Sequence, residues 1–188
     1  MKKLLPLLVC LFVVGCGEEV TQEAVVATTE EPARPTEAEA ERLLETAIDW
    51  NSLVLAAQGN NQQGALRASD YTGWVKKTFT NGQKKSLGFL RDGVSNGPII
   101  EWHENGQRSK ERFFKDGSPH GLSIEWHSNG KKKREANFLD GVLHGYIAQW
   151  YDSGQKKAEG TAKNDEVVSA KYWNRKGEEV KSYPKWDE

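Results

Sequence analysis

The chain has 188 residues, with 26 basic against 27 acidic side chains and a formal net charge of −1. Only 37% of residues are hydrophobic and the mean hydropathy is −0.73, yet there are seven tryptophans. That combination argues against a thick hydrophobic core and for a thin structure with an aromatic seam.

In chain order, Lys2 and Lys3 precede an apolar run from Leu4 to Val14, interrupted only by Pro6. The run is shorter than the roughly 20 residues a permanent membrane-spanning helix needs, and it has the length of a signal-peptide core. It ends in Val13-Val14-Gly15-Cys16, which resembles the lipobox of bacterial lipoproteins. The resemblance implies a signal peptide over 1–15, acylation of Cys16 and a membrane anchor of fatty acyl chains such as palmitate. The localisation expected is the cell envelope. Gly17 is not the aspartate that retains many lipoproteins in an inner membrane, so the outer membrane is favoured if the source has two. Cys10 would leave with the signal peptide and Cys16 would carry a thioether. The mature chain would then have no free thiol, disulfide or thiolate metal site.

Residues 16–36 hold the acylated cysteine and a stretch rich in Glu, Thr, Ala and Pro without a period, which reads as a disordered acidic stalk. Residues 37–70 read as a helix and a connecting segment. Thr36 with Glu39 matches a capping box, and the pairs Leu44/Ile48 and Leu43/Ala47 give one apolar stripe, so a helix is expected over 37–50. Trp50 to Leu55 either extends that helix or begins a strand, and 59–64 is a loop.

The segment 71–188 repeats itself with a period of 24. Gly73, Gly97, Gly121 and Gly145 keep that spacing, as do Trp102, Trp126 and Trp150. One set of turns recurs at Gly82, Gly106, Gly130 and Gly154, preceded by Asn in the first three copies. A second set recurs at Asp92-Gly93, Asp116-Gly117 and Asp140-Gly141, weakening to Asn164-Asp165. Asn-Gly favours the positive-φ turn whose twist suits a hairpin. Leu122, Ile124 and Trp126 alternate with polar residues, as do Tyr146, Ala148 and Trp150, so these are strands with one buried face. Phe114 and Phe138 hold matching places on the return strands. The expected fold is all-β: an antiparallel sheet of about ten strands built from repeated hairpins, preceded by a short helix. Its core would be Trp102, Trp126, Trp150, Phe114 and Phe138.

The pattern Gly-x-x-x-x-Trp-x-x-Asn-Gly followed by Asp-Gly resembles the variant MORN repeat, over about 73–180. Bacterial proteins built from it are often of the YwqK type, regarded as antitoxin-like. The resemblance implies binding and supplies no catalytic residues. It departs from the pattern at the ends, where Thr78 stands for the tryptophan in the first copy and the last copy, with Trp173 and Gly177, lacks the asparagine of Asn-Gly.

Four histidines invite a metal hypothesis. Equivalent residues of neighbouring hairpins stand about 9–10 Å apart, too far for nitrogens that must each lie about 2 Å from one zinc ion. No metal or other cofactor is expected. No nucleophile elbow, phosphate loop or zinc-protease motif is present, so no catalytic residue is assigned and an enzyme is not expected. Residues 71–188 carry 21 basic and 16 acidic side chains, whereas 17–70 carry three and eleven. The plainest account pairs these bases with Glu101, Glu125 and similar acids across the hairpins. The sharper one makes a binding face of His103, His127, Tyr151, Arg108 and Lys132. The function expected is a non-catalytic envelope lipoprotein that binds or scaffolds a protein or an anionic envelope polymer, and not nucleic acid. An antitoxin- or immunity-type module that neutralises a toxin is the alternative.

Overall fold

A computed structural model describes residues 32–53 and 70–184. The signal peptide over 1–15, Cys16, the stalk as far as residue 31 and the loop over 59–64 lie outside the described residues.

Thr36 opens the one long helix among the described residues, α1 (Glu37–Thr46), through the expected capping box: its hydroxyl accepts from the Glu39 amide while the Glu39 carboxylate accepts from the Thr36 amide. The helix stops at Thr46, short of residue 50, and Ala47 turns extended. Lys76 explains part of that ending. Its ammonium donates to the Leu44 carbonyl at 2.7 Å, satisfying a helix C-terminus that has no basic residue of its own. Two residues then pair as a parallel edge strand, β1 (Ile48–Asp49), and 50–53 form a short helical turn on the Asp49 carboxylate.

The remaining strands run as one open meander. They are β2 (Gly73–Thr78), β3 (Lys84–Arg91), β4 (Val94–Trp102), β5 (Arg108–Lys115), β6 (Ser118–Pro119), β7 (Gly121–Trp126), β8 (Lys132–Leu139), β9 (Val142–Trp150), β10 (Lys156–Lys163), β11 (Glu166–Trp173) and β12 (Glu179–Val180). Neighbours in sequence are neighbours in the sheet, except that β6 and β7 both pair with β5. Every pairing beyond β1 is antiparallel.

The two turn types divide the labour differently from the sequence expectation. Asp92-Gly93, Asp116-Gly117 and Asp140-Gly141 have both residues at positive φ, and Arg91 pairs with Val94 across the first of them. These are the two-residue turns that match strand twist. At the Asn-Gly turns only the glycine has positive φ, and Gly82 donates to the Phe79 carbonyl. The asparagine instead uses its side chain: Asn105 Oδ1 accepts from the Gln107 amide and its Nδ2 donates to Ser128 O. The register shift beside each such turn is the bulge that this longer loop requires.

Both long margins of the sheet are stapled from repeat to repeat. On one, the Gly93, Gly117 and Gly141 amides donate to the carbonyls of Tyr71, Ser95 and Pro119, one hairpin back. On the other, His103 Nε2 meets Trp126 O at 3.1 Å, His127 Nε2 meets Trp150 O at 3.1 Å and the Tyr151 hydroxyl donates to Trp173 O at 2.9 Å. Backbone groups that a thin sheet would leave unpaired are thereby satisfied without a deep core.

The apolar core sits at one end. Ala40 of α1 and Ala47 just after it are buried against Leu87, Ile100 and Trp102, with Leu43, Leu44 and Trp74 packed around them. Beyond the edge strand, Leu53 packs on Val75 and Leu90 with Trp50 and Tyr71. The residues before and after β1 thus clasp the first edge of the sheet from two sides. Burying each large apolar side chain contributes about 1.5–3 kcal/mol. Of the expected core set, only Trp102 is sealed, at 2% exposure. Trp126, Trp150, Phe114 and Phe138 are half-buried, because no second layer lies over their repeats among the described residues.

Candidate binding face

Strand register fixes what the helix-bearing face displays. Leu87 pairs with Ile100, Ile100 with Glu111, Glu111 with Ile124, Ile124 with Glu135, Glu135 with Ala148 and Ala148 with Glu159. Partners across a sheet share a face, so this row is aliphatic at its start and then alternates aliphatic with acidic. Beside it runs a second row in which Trp102 pairs with Arg108, Trp126 with Lys132 and Trp150 with Lys156. Ammonium groups also stand over neighbouring indoles: Lys84 over Trp102 at 4.9 Å, Lys132 over Trp150 at 5.6 Å and Lys156 over Trp173 at 5.9 Å. The face is therefore a ladder of tryptophans and cations flanked by carboxylates.

At its first rungs the ladder is occupied by the chain itself. Glu37 Oε1 accepts from Lys84 Nζ at 2.6 Å and from Trp102 Nε1 at 3.2 Å, and its Oε2 accepts from Arg108 Nε at 2.7 Å. Partial burial alone would raise this carboxyl. The hydrogen bonds from Lys84 and Arg108 outweigh it and hold the group at about 2. Three residues upstream, Arg34 Nε meets Glu111 at 2.5 Å and donates from its terminal nitrogen to Leu122 O at 2.9 Å. Arg108 also donates to Glu111 and to the Pro35 carbonyl. Residues 32–36 are thus not stalk. They form a strap along the sheet, held because Glu111 is only 3% exposed and needs both guanidinium groups.

Beyond the strap nothing among the described residues lies over the ladder. Lys132 turns to Glu135 at 2.7 Å and Lys156 to Glu159 at 2.5 Å, each three residues along its own strand. The bond from Glu159 raises Lys156 above the ordinary lysine range. Tyr146, 40% exposed, stands on the same strand as Ala148 and Trp150.

Of the residues the sequence offered as a binding face, three serve the fold. Tyr151 is buried at 5%, so it is no exposed contact. His103 and His127 are half-buried and committed to carbonyls of the next repeat. A carbonyl 23 positions along a 24-residue period is within reach of a histidine at the turn, which single-strand alternation does not reveal. Arg108 belongs to the strap contact. Lys132 alone stays largely solvent-facing, with a side chain 47% exposed. The sequence missed Arg34, Glu37, Glu111 and Glu159. For the glutamates the signal was available: Glu111, Glu135 and Glu159 repeat at 24 in the place of Leu87.

The opposite face bears out the plain account of the charges. Arg112 pairs with Glu101 at 2.8 Å and Lys110 with Glu125 at 2.7 Å. The Lys110 bond, set against partial burial, keeps Glu125 below the usual carboxylate range. An open hollow of about 570 Å³ lies there among His127, Lys133, Arg134, Lys157, Arg175 and Tyr183. Lys157 stands 4.6 Å from the Tyr183 ring and Arg175 pairs with Asp152 at 3.1 Å, so two of its cations are already engaged. Among the described residues no group of three or more His, Cys, Asp or Glu side chains could hold a metal ion. No helix among them is long and apolar enough to cross a membrane, which leaves β-barrels aside.

Fold and face together define an open β-hairpin repeat sheet with a repeating surface. The sequence profile of the MORN repeat variant matches residues 119–140, which span β7 and β8. That repeat suggests a repeat-based binding module. No curated protein matches the chain.

Proposed function

We propose that the protein is a non-catalytic envelope lipoprotein, anchored through acyl chains on Cys16, that uses the uncovered helix-bearing face of its sheet to bind a protein partner. One observation carries the reading. Trp126 and Trp150 repeat the register of Trp102, yet they are half-buried where Trp102 is sealed by α1. A tryptophan ladder flanked by both charge signs is a surface of the kind interfaces use, with aromatic anchors and a polar rim. The alternation of Glu135 and Glu159 with Lys132 and Lys156 favours a protein over an anionic polymer, since a polyanion would meet two carboxylates beside the cations. The same mixed charge supports an immunity-type role against an incoming toxin as a second reading. A photoreactive residue at Tyr146 in cells tests the surface, with one at Glu41 on α1 as control. Adducts at 146 and none at 41 are expected. Cys16→Ser should release the protein from the membrane fraction and abolish incorporation of labelled fatty acid. Equal adducts at both positions would count against the surface, and unchanged membrane retention against the anchor.

A further inference from the structure

The strap does more than hold α1; it shows what the ladder binds. Residues 34–37 present an arginine and, three positions later, a glutamate that opens a helix. The glutamate enters a cradle of Lys84, Trp102 and Arg108, and the arginine reaches Glu111. Adding 48 to each number gives Lys132, Trp150, Lys156 and Glu159, the same types of side chain with lysine for one arginine. These four also share the face and the pairings. Trp150 pairs with Lys156 as Trp102 pairs with Arg108, and Lys132 stands over Trp150 as Lys84 stands over Trp102. Glu159 accepts from Lys156 three residues before it, as Glu111 accepts from Arg108.

We infer that the Lys132–Trp150–Lys156–Glu159 cradle binds a partner-protein segment carrying an arginine three residues before a helix-opening glutamate. This rests on the proposed binding face and names the chemistry of its partner. Charge counting separates that ligand from the alternatives. With Glu135, the ion-pair partner of Lys132 beside it, the cradle has two cations, Lys132 and Lys156, and two carboxylates, Glu135 and Glu159. A lone acid leaves the group net negative, and a lone base leaves it net positive. A segment with both leaves three of each sign, close to the arrangement around Glu37 and Glu111. Sharing one cation between two carboxylates is already seen at Arg108, which donates to Glu37 and Glu111 together. Apolar support comes from Leu122 and Trp150, which stand where Trp74 and Trp102 meet α1 in the first cradle, while Ala148 in the place of Ile100 is already buried.

The test uses the full chain and, as probe, a fluorescent synthetic peptide with the sequence of residues 33–46, read by anisotropy. In the first cradle the chain's own segment competes at high effective concentration, so added peptide has access chiefly to the second. Binding is expected to weaken at least about tenfold in the Lys132→Glu, Lys156→Glu double variant and to change less than about twofold in Lys84→Glu. A peptide with its arginine and first glutamate interchanged is expected to bind at least about tenfold more weakly. Unchanged melting temperatures in the double variant keep a binding loss interpretable. Binding lost in Lys84→Glu alone, no binding at all, or equal binding of dextran sulfate would overturn the inference. So would self-association of the unliganded chain that the double variant abolishes, since that assigns the cradle to a second copy. Adducts at Tyr146 that persist while the peptide fails to bind would leave the surface standing and remove only this partner chemistry.

Discussion

At Trp102 the helix-bearing face of the sheet is sealed to 2% exposure; 48 residues later, at Trp150, the same face in the same register lies half open. Turns, edge staples and cation–indole contacts are common to both ends, so none of them decides the difference. One position does. Leu87 gives α1 an aliphatic floor, and its successors Glu111, Glu135 and Glu159 do not. The strap crosses Glu111 only by bringing Arg34 with it. The sheet staples its backbone from repeat to repeat, while its clusters of large buried apolar side chains lie at the helix-bearing end. Among the described residues nothing covers the rest of the face.

The comparison breaks most sharply at the tryptophans themselves. Trp102→Ala is expected to cost about 3–5 kcal/mol in chemical denaturation, as truncations in sealed cores do. Trp150→Ala, half-buried on an open face, is expected to cost about 1 kcal/mol. Equal losses would mean that both ends are covered in solution. A smaller contrast lies in the acid row. Arg34→Ala removes one of the two guanidinium partners of buried Glu111 and is expected to cost about 1–3 kcal/mol. Lys132→Ala, whose partner Glu135 remains in water's reach, is expected to cost less than about 1 kcal/mol by the same measurement.

Acid gives the gentlest contrast. Folding holds Glu37 at about 2, well below its ordinary 4.5, so its stabilisation is fully present above pH 4.5 and fades as pH falls towards 2. The indole fluorescence of the covered end is therefore expected to shift in that window as α1 loosens. In Glu37→Gln the part of the transition due to this group should vanish. A Glu37→Gln titration that matches the wild type would place the acid response elsewhere.

Much of the fold was legible because its signals are periodic. Glycines, turn pairs and tryptophans at a spacing of 24 fix hairpins, strand order and the shared face of the tryptophans. The Thr36–Glu39 box was legible for the same reason that it works, since both halves lie within one turn of chain. What the pattern did not show was long-range. Arg34 to Glu111 and Glu37 to Arg108 join parts of the chain over 70 residues apart, and nothing local in an acidic, proline-bearing stretch announces a docked strap. Exposure was misjudged at Tyr151, His103 and His127 because alternation along one strand places a side chain on a face. It does not reveal that the next hairpin's carbonyl lies within reach. The aromatic seam was read as uniformly buried for a related reason. A repeat tells that Trp126 and Trp150 are equivalent to Trp102, but only the non-repeating helix tells which of them is covered.

The most direct measurement is quantitative capture of envelope proteins by the full chain, by Lys132→Glu with Lys156→Glu, and by Lys84→Glu, with the melting temperature of each recorded. The account predicts that the double variant melts like the wild type and loses its protein partner. It predicts the reverse for Lys84→Glu, which should melt lower and keep that partner. A double variant that still captures the same protein as the wild type would contradict it, because the open half of the ladder would then not be the binding surface.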